Sequence, residues 1–155
     1  MISPELLRRY PFFGFLDDSH LKAIAMIAEE ENYPASTDIL ISGDPADVFY
    51  LLMKGSVDLF YVVHEEIRPD KKKEYLMGEI NPEEPFGISA LIEPYQYTAT
   101  ARASVPITVI KIDGQALRDL IDNDEKLGCG FLRQITKATM ERLEYTRTLL
   151  AAAWA

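Results

Sequence analysis

A chain of 155 residues, 48% hydrophobic and 26% charged, has the size and balance of one globular domain and shows no low-complexity segment. A net charge of −9 and a pI near 4.7 argue against direct DNA binding, because phosphate affinity comes from clustered Lys and Arg. The single Cys129 excludes an internal disulfide and a thiolate metal cage, and neither a leader pattern in "MISPELLRRYPFF" nor 18 consecutive apolar residues occurs, so a soluble, cytoplasmic protein with a core thiol is expected.

Ser3 and Pro4 open a short helix through Arg9, since Pro at the first helical position sacrifices no hydrogen bond. A second helix starts in "DDSHLKAIAMIAEEE", capped by Asp17, Asp18 or Ser19, with Leu21, Ile24, Ala25 and Ala28 at helical spacing. It is expected to end before Pro34. His20 falls in its first turn beside two aspartates, which assigns it a solvated or capping role.

From residue 37 the period becomes that of strands. Val48 to Met53 and Val57 to Val63 are rich in β-branched and aromatic residues, and Lys54-Gly55-Ser56 between them predicts a hairpin. "SGDPAD" is turn chemistry. "HEEIRPDKKKE" is too polar for a core, which puts Lys71, Lys72 and Lys73 on a hairpin tip or an exposed strand end. "YLMGEI" resumes a strand, "NPEEP" breaks it, and "GISALI" has room for one helical turn. "TATARA" and "ITVIKID" read as two more strands, split near Val105-Pro106.

Asp113 or Gly114 then opens a two-turn helix, "QALRDLI". A long helix follows from about Asp124 to Leu150, with Gly128 and Gly130 weakening its start. Leu132, Ile135, Thr139, Leu143, Thr146 and Leu150 form a stripe on it. Some 25 residues at 1.5 Å each make a rod of about 37 Å, longer than a small β-domain covers. The same helix of a second copy is the expected partner, giving a homodimer; the alternative is a helix lying on its own domain. The fold class is α+β: an antiparallel β-barrel or jelly roll with short N-terminal helices over residues 1–122, and a C-terminal helix over 123–155 that serves dimerisation.

Tests for chemistry are negative. "GISAL" falls one residue short of the nucleophile elbow G-x-S-x-G, because Leu91 stands where the second Gly is needed. His20 and His64 have no second His or Cys at metal-ligand spacing. Glu29-Glu30-Glu31 and Glu83-Glu84 do not face one pocket and look solvated. No catalytic residue, metal or cofactor is expected.

The order of elements and three stretches resemble the cyclic-nucleotide-binding domain family, as in the regulatory subunits of cAMP-dependent protein kinase and the bacterial catabolite activator proteins. The likeness runs from about Tyr10 to Leu150. "SGDPADVFYLLMKGSVDLF" is similar to the family's Gly-Asp turn and following strands, with Gly43, Asp44 and Gly55. "FGISAL" resembles the start of its phosphate-binding cassette, typically Phe-Gly-Glu-Leu-Ala-Leu. "TATARASVPITVIKID" resembles the strand pair after it.

The resemblance implies a regulatory or sensor domain whose cassette would be Phe86, Gly87, Ile88, Ser89, Ala90, Tyr97, Thr98 and Ala99. In the family, a short helix and nearby amides receive the cyclic phosphate, an Arg pairs its oxygens, and a Glu accepts from the ribose 2′-OH. Here Ile88 occupies the Glu position, and Tyr97, at the family's loop length, occupies the Arg position. Arg102 lies five residues on, in strand phase with the opposite face, and does not compensate. Losing two charged hydrogen bonds predicts about 10²–10⁴ less affinity for cAMP. Ile88 and Tyr97 suit a less polar small ligand, or fill the space themselves.

Bacterial members often add a helix-turn-helix after the long helix. With the chain ending at Ala155, the expectation is a stand-alone domain, with no direct DNA binding, no membrane association and an unknown protein partner. The other reading is a ligand-independent dimeric scaffold or interaction module.

Overall fold

The computed structural model describes residues 1–155. The chain begins with α1 (Pro4–Arg8), a 3₁₀ turn at Pro11–Phe13 and α2 (Asp18–Met26). Strands β1 (Ala28–Tyr33), β2 (Asp38–Leu40), β3 (Val48–Lys54), β4 (Val57–His64), β5 (Lys72–Ile80) and β6 (Pro85–Phe86) follow. After a 3₁₀ turn at Ile88–Leu91 come β7 (Thr100–Ala103), β8 (Ile107–Asp113), α3 (Gly114–Asp122) and α4 (Glu125–Trp154).

All strand pairs are antiparallel, in two four-stranded sheets of order β1-β8-β3-β6 and β2-β7-β4-β5. The sheets face each other over one core, to which Leu52, Val109 and Phe86 contribute from the first and Val57, Ile80 and Ala101 from the second. They do not close into a barrel. A helical layer covers the outer side of the first sheet: the rings of Phe12, Phe49 and Phe131 meet at 5.7–6.2 Å, joining the N-terminal turn, β3 and α4. β3 is therefore covered on both faces, which explains its unbroken run Phe49-Tyr50-Leu51-Leu52, all buried.

Four expectations need correction. The second helix stops at Met26, and Ala28–Tyr33 pairs with β8 instead of continuing it. Glu29 and Glu30 lie exposed on this edge strand, where water accepts them as readily as on a helix surface. The predicted hairpin of β3 and β4 does not form. β3 pairs with β6 and β8, whereas β4 pairs with β5 and β7, so Lys54-Gly55-Ser56 carries the chain from one sheet to the other. Gly55 has φ of 98°, and a Cβ there would sit 2.7 Å from the Pro106 carbonyl oxygen.

Cys129 is exposed, not a core thiol. Leu127, Phe131, Ile135 and Ala138 take the buried face of α4, and two residues past Leu127 is about 200° round the helix. The fourth correction concerns the stripe on α4, which proves to be two faces. Ile135 belongs to the core, and Thr146 reaches the Met77 carbonyl of β5 at 3.3 Å, whereas Leu132, Leu143 and Leu150 are exposed.

His20 does more than cap. Its Nε2 lies 2.7 Å from Oδ2 of Asp124, the N-cap residue of α4, so it ties α2 to the start of the long helix. Both cap carboxylates are held below the usual range. For Asp17 the cause is first the His20 backbone N–H, then the Ser19 hydroxyl; for Asp124 it is first the Leu127 backbone N–H, then His20. A carboxylate depressed in the folded state contributes stability that is present above its unfolded value of about 3.9 and is lost as pH falls through the folded value. Thermal melts from pH 6 to pH 2 are accordingly expected to drop below about pH 4. The Asp124→Asn variant, which keeps a cap but cannot titrate, is expected to show a shallower fall.

Candidate functional site

β6 runs out at Phe86, and the chain must turn away from β3 at once. Gly87 makes that turn with φ of 66°; a Cβ on it would lie 3.0 Å from the Val48 carbonyl oxygen and 3.1 Å from the Tyr50 ring. Tyr50 stacks flat on Phe86 at 4.8 Å, fixing the start of the loop. The 3₁₀ turn Ile88–Leu91 follows, with Ala90 fully buried beneath it.

Even-numbered residues of β3 aim their backbone groups toward β6: Leu52 N–H donates to Glu84 O, and Glu83 N–H to Leu52 O. At Val48 no β6 residue remains to pair. The Tyr97 hydroxyl takes that place, donating to the Val48 carbonyl at 2.6 Å and accepting from the Val48 N–H at 3.1 Å. The residue is 8% exposed, and burial pushes the phenol upward from its ordinary value against the opposing hydrogen bond to Val48. Backbone bonds pin the same residue: Tyr97 N–H donates to Asp44 O at 3.0 Å and Gly43 N–H to Tyr97 O at 2.8 Å. Tyr97 is thus a strut between the loop, the Gly43-Asp44 turn and β3.

A pocket of about 220 Å³ remains between loop and helix. Of the residues the resemblance implies for a cassette, Phe86, Gly87, Ile88, Ser89, Tyr97, Thr98 and Ala99 line it, whereas Ala90 is sealed under the turn. The Thr98 and Ala99 N–H groups donate to no backbone acceptor. Leu40 and Leu59 complete an apolar wall.

The arginines are placed more informatively than their spacing suggests. Arg102 lies away from the pocket, in a bidentate pair with Glu74 at 2.8 and 3.1 Å and a bond to Asp38 at 2.6 Å, over the Phe60 ring. Those two carboxylates raise its guanidinium above the ordinary value, Glu74 first. Arg118 of α3 stacks on Tyr95 and donates to Ala90 O at 2.6 Å, bracing the far side of the loop. Arg142 and Thr139 reach the pocket from α4, and neither was singled out as a site residue from sequence. The signal was the presence of Thr139 and Thr146 in a stripe otherwise apolar, with Arg142 one helical turn from each. No group of three or more His, Cys, Asp or Glu side chains is arranged to hold a metal ion, and no helix is long and apolar enough to cross a membrane.

Residues 30–124 match the family model described as the cyclic nucleotide-binding domain. The chain is 38% identical in sequence to a solved protein of Geobacter metallireducens described as cyclic nucleotide-binding, with a TM-score of 0.79 over 92% of this chain and 99% of that one. Among curated proteins, it is 25% identical to the cAMP-dependent protein kinase regulatory subunit of Dictyostelium discoideum over 88% of this chain. It is 22% identical to the CRP-like cAMP-activated global transcriptional regulator of Mycobacterium tuberculosis over 95%. The chain spans 38% and 61% of the length of these two relatives. The fold alone is shared, at 17% identity and a TM-score of 0.71, with the regulatory subunit of a cAMP-independent protein kinase A from Trypanosoma brucei, solved as a mutant bound to cAMP in its A site; the match covers 94% of this chain and 49% of that one.

Proposed function

Because the chain belongs to the cyclic nucleotide-binding domain family, we propose that it is a regulatory or sensor domain whose cassette does not take cAMP in the family's usual way. The observation that carries this reading is the Tyr97 hydroxyl bonded both ways to Val48. The residue at the phosphate-binding Arg position supplies no charge to the pocket and is committed to the scaffold. Ile88, at the ribose-binding Glu position, adds apolar wall. The space left, about 220 Å³, falls below the roughly 300–1,000 Å³ of ordinary small-molecule sites. The trypanosomal regulator of a cAMP-independent kinase shares this fold, so the architecture by itself does not oblige a cAMP response. No catalytic role is proposed, and the setting we assign is cytoplasmic.

A thermal melt with and without 1 mM cAMP tests the reading. The midpoint is expected to move by no more than about 6 °C, the shift that a hundredfold loss from a micromolar Kd would leave, and by less than about 1 °C for a ten-thousandfold loss. A ligand with a micromolar Kd would at that thousandfold excess stabilise by about 4 kcal/mol, or about 8–16 °C for a chain of this size. A shift of that order would defeat the proposal.

The reading includes a homodimer through α4. Its 30 residues span about 45 Å, and Leu132, Met140, Leu143, Leu150 and Trp154 leave the side away from the domain apolar and exposed. Spacings of three and four between Met140, Leu143, Arg147, Leu150 and Trp154 are those of a coiled-coil seam. Light scattering is expected to give twice the 17.6 kDa chain mass, and the Met140→Glu, Leu143→Glu double variant is expected to give the chain mass itself. A wild-type monomer at 50 μM would contradict this part of the reading.

A further inference from the structure

We propose that Arg142 supplies from α4 the positive charge that the cassette lacks, making the pocket a site for a small oxyanion with a short apolar body. The proposal rests on the preceding reading, that Tyr97 closes the phosphate position to cyclic nucleotides.

Arg142 shares the pocket with Gly87, Ser89, Thr98 and Ala99. Its Nη2 donates to the Pro85 carbonyl at the start of β6, while its Nε is fully covered and has no acceptor. No carboxylate of the chain pairs with it, although Glu84 and Glu141 are near enough to favour its charge; Glu84 Oε1 instead accepts from the Asn81 N–H at 2.9 Å. Burial, the larger influence, pushes the guanidinium below its ordinary value.

A covered guanidinium with an orphaned donor is a costly arrangement, and folded proteins keep few of them without a reason. The other two arginines around the loop are committed to partners within the chain. Arg102 is spent on Asp38 and Glu74, and Arg118 on Ala90 O and Gln115. An oxyanion paired with the Arg142 guanidinium, which lines the pocket, would share that pocket with the unbonded Thr98 and Ala99 amides.

The rest of the pocket sets the ligand's body. Leu40, Leu59, Phe86 and Ile88 line it with hydrocarbon, so a bare inorganic ion would leave that wall uncovered. The volume of about 220 Å³ lies below the roughly 300–1,000 Å³ of ordinary small-molecule sites and suits a short aliphatic carboxylate better than a purine nucleotide. Such a ligand would join Pro85 and the cassette to α4 through one side chain, so that its presence biases how the long helix lies against the domain.

Titration of the ¹⁵N-labelled full chain at constant ionic strength tests this, with sodium butyrate, inorganic phosphate, butylammonium and cAMP as probes. Butyrate is expected to shift the Gly87, Ser89, Thr98 and Ala99 amides saturably, phosphate to do so more weakly, and butylammonium not at all. Arg142→Gln is expected to weaken butyrate about tenfold or more, and Arg142→Lys, which keeps the charge without the fork, to fall between. Silence toward both anions in a chain that also ignores cAMP would overturn the proposal alone. So would butyrate binding unchanged by Arg142→Gln in a variant whose other amides stay in place, and phosphate binding tighter than butyrate would overturn the apolar body. Saturation by cAMP would overturn the reading beneath it.

Discussion

Replacing Tyr97 by alanine is expected to lower the thermal midpoint by about 6–20 °C. Truncating a buried aromatic ring costs about 3–5 kcal/mol, and each kcal/mol is worth about 2–4 °C in a chain of this size. The cause divides into two parts that a second variant separates. Tyr97→Phe keeps the ring in the core but strands the Val48 N–H and carbonyl, which β6 cannot reach because it ends at Phe86. Leaving such groups unpaired costs about 1–3 kcal/mol, so a fall of about 2–12 °C is expected from the loss of one oxygen. Calorimetric melts of the two variants beside the parent measure both. If Tyr97→Phe melted within 1 °C of the parent, the hydroxyl would not be the strut described here, and the closure of the cassette would rest on the ring alone.

The second large effect is a gain. Restoring the family's two charged contacts with Ile88→Glu and Tyr97→Arg is expected to raise cAMP affinity by about 10²–10⁴, since each charged hydrogen bond is worth about 1.5–3 kcal/mol. By the resemblance the loop between them has the family's length, and Gly87 already turns the chain into it. The same exchange removes the Val48 strut, so the double variant is expected to be less stable than the parent without ligand and to recover when cAMP is added. Isothermal titration of parent, single and double variants measures the gain. A double variant that folds and still ignores cAMP would show that the loop has lost more than two side chains, and would favour the ligand-independent scaffold.

What the sequence made legible was local chemistry. Ser3 with Pro4 marks a helix start, Asp113 and Asp124 mark two more, and "GISALI" marks a single helical turn, each by residues whose roles need no distant partner. Arg102 does lie away from the pocket as expected, but Tyr97 stands outside β7 and the bend at Thr98-Ala99 breaks the strand phase from which that was read. The hairpin expected of β3 and β4 failed for want of a local signal. Lys54-Gly55-Ser56 reports that the chain turns, and nothing local says whether the next strand joins the same sheet. Glu29 to Glu31 hid β1, since an exposed edge strand and a helix surface admit the same acids. Arg142 left only an indirect trace, the Thr139 and Thr146 break in an apolar stripe, because its partner lies 57 positions away, at the Pro85 carbonyl.

The central claim is that Tyr97 holds the place where the family grips a cyclic phosphate. It is met most directly by a crystal structure of the unmodified chain grown with 10 mM cAMP. The account predicts the Tyr97 hydroxyl on Val48 and no nucleotide between Ser89 and Thr98. A cyclic phosphate seated there, with Tyr97 swung off Val48, would contradict it.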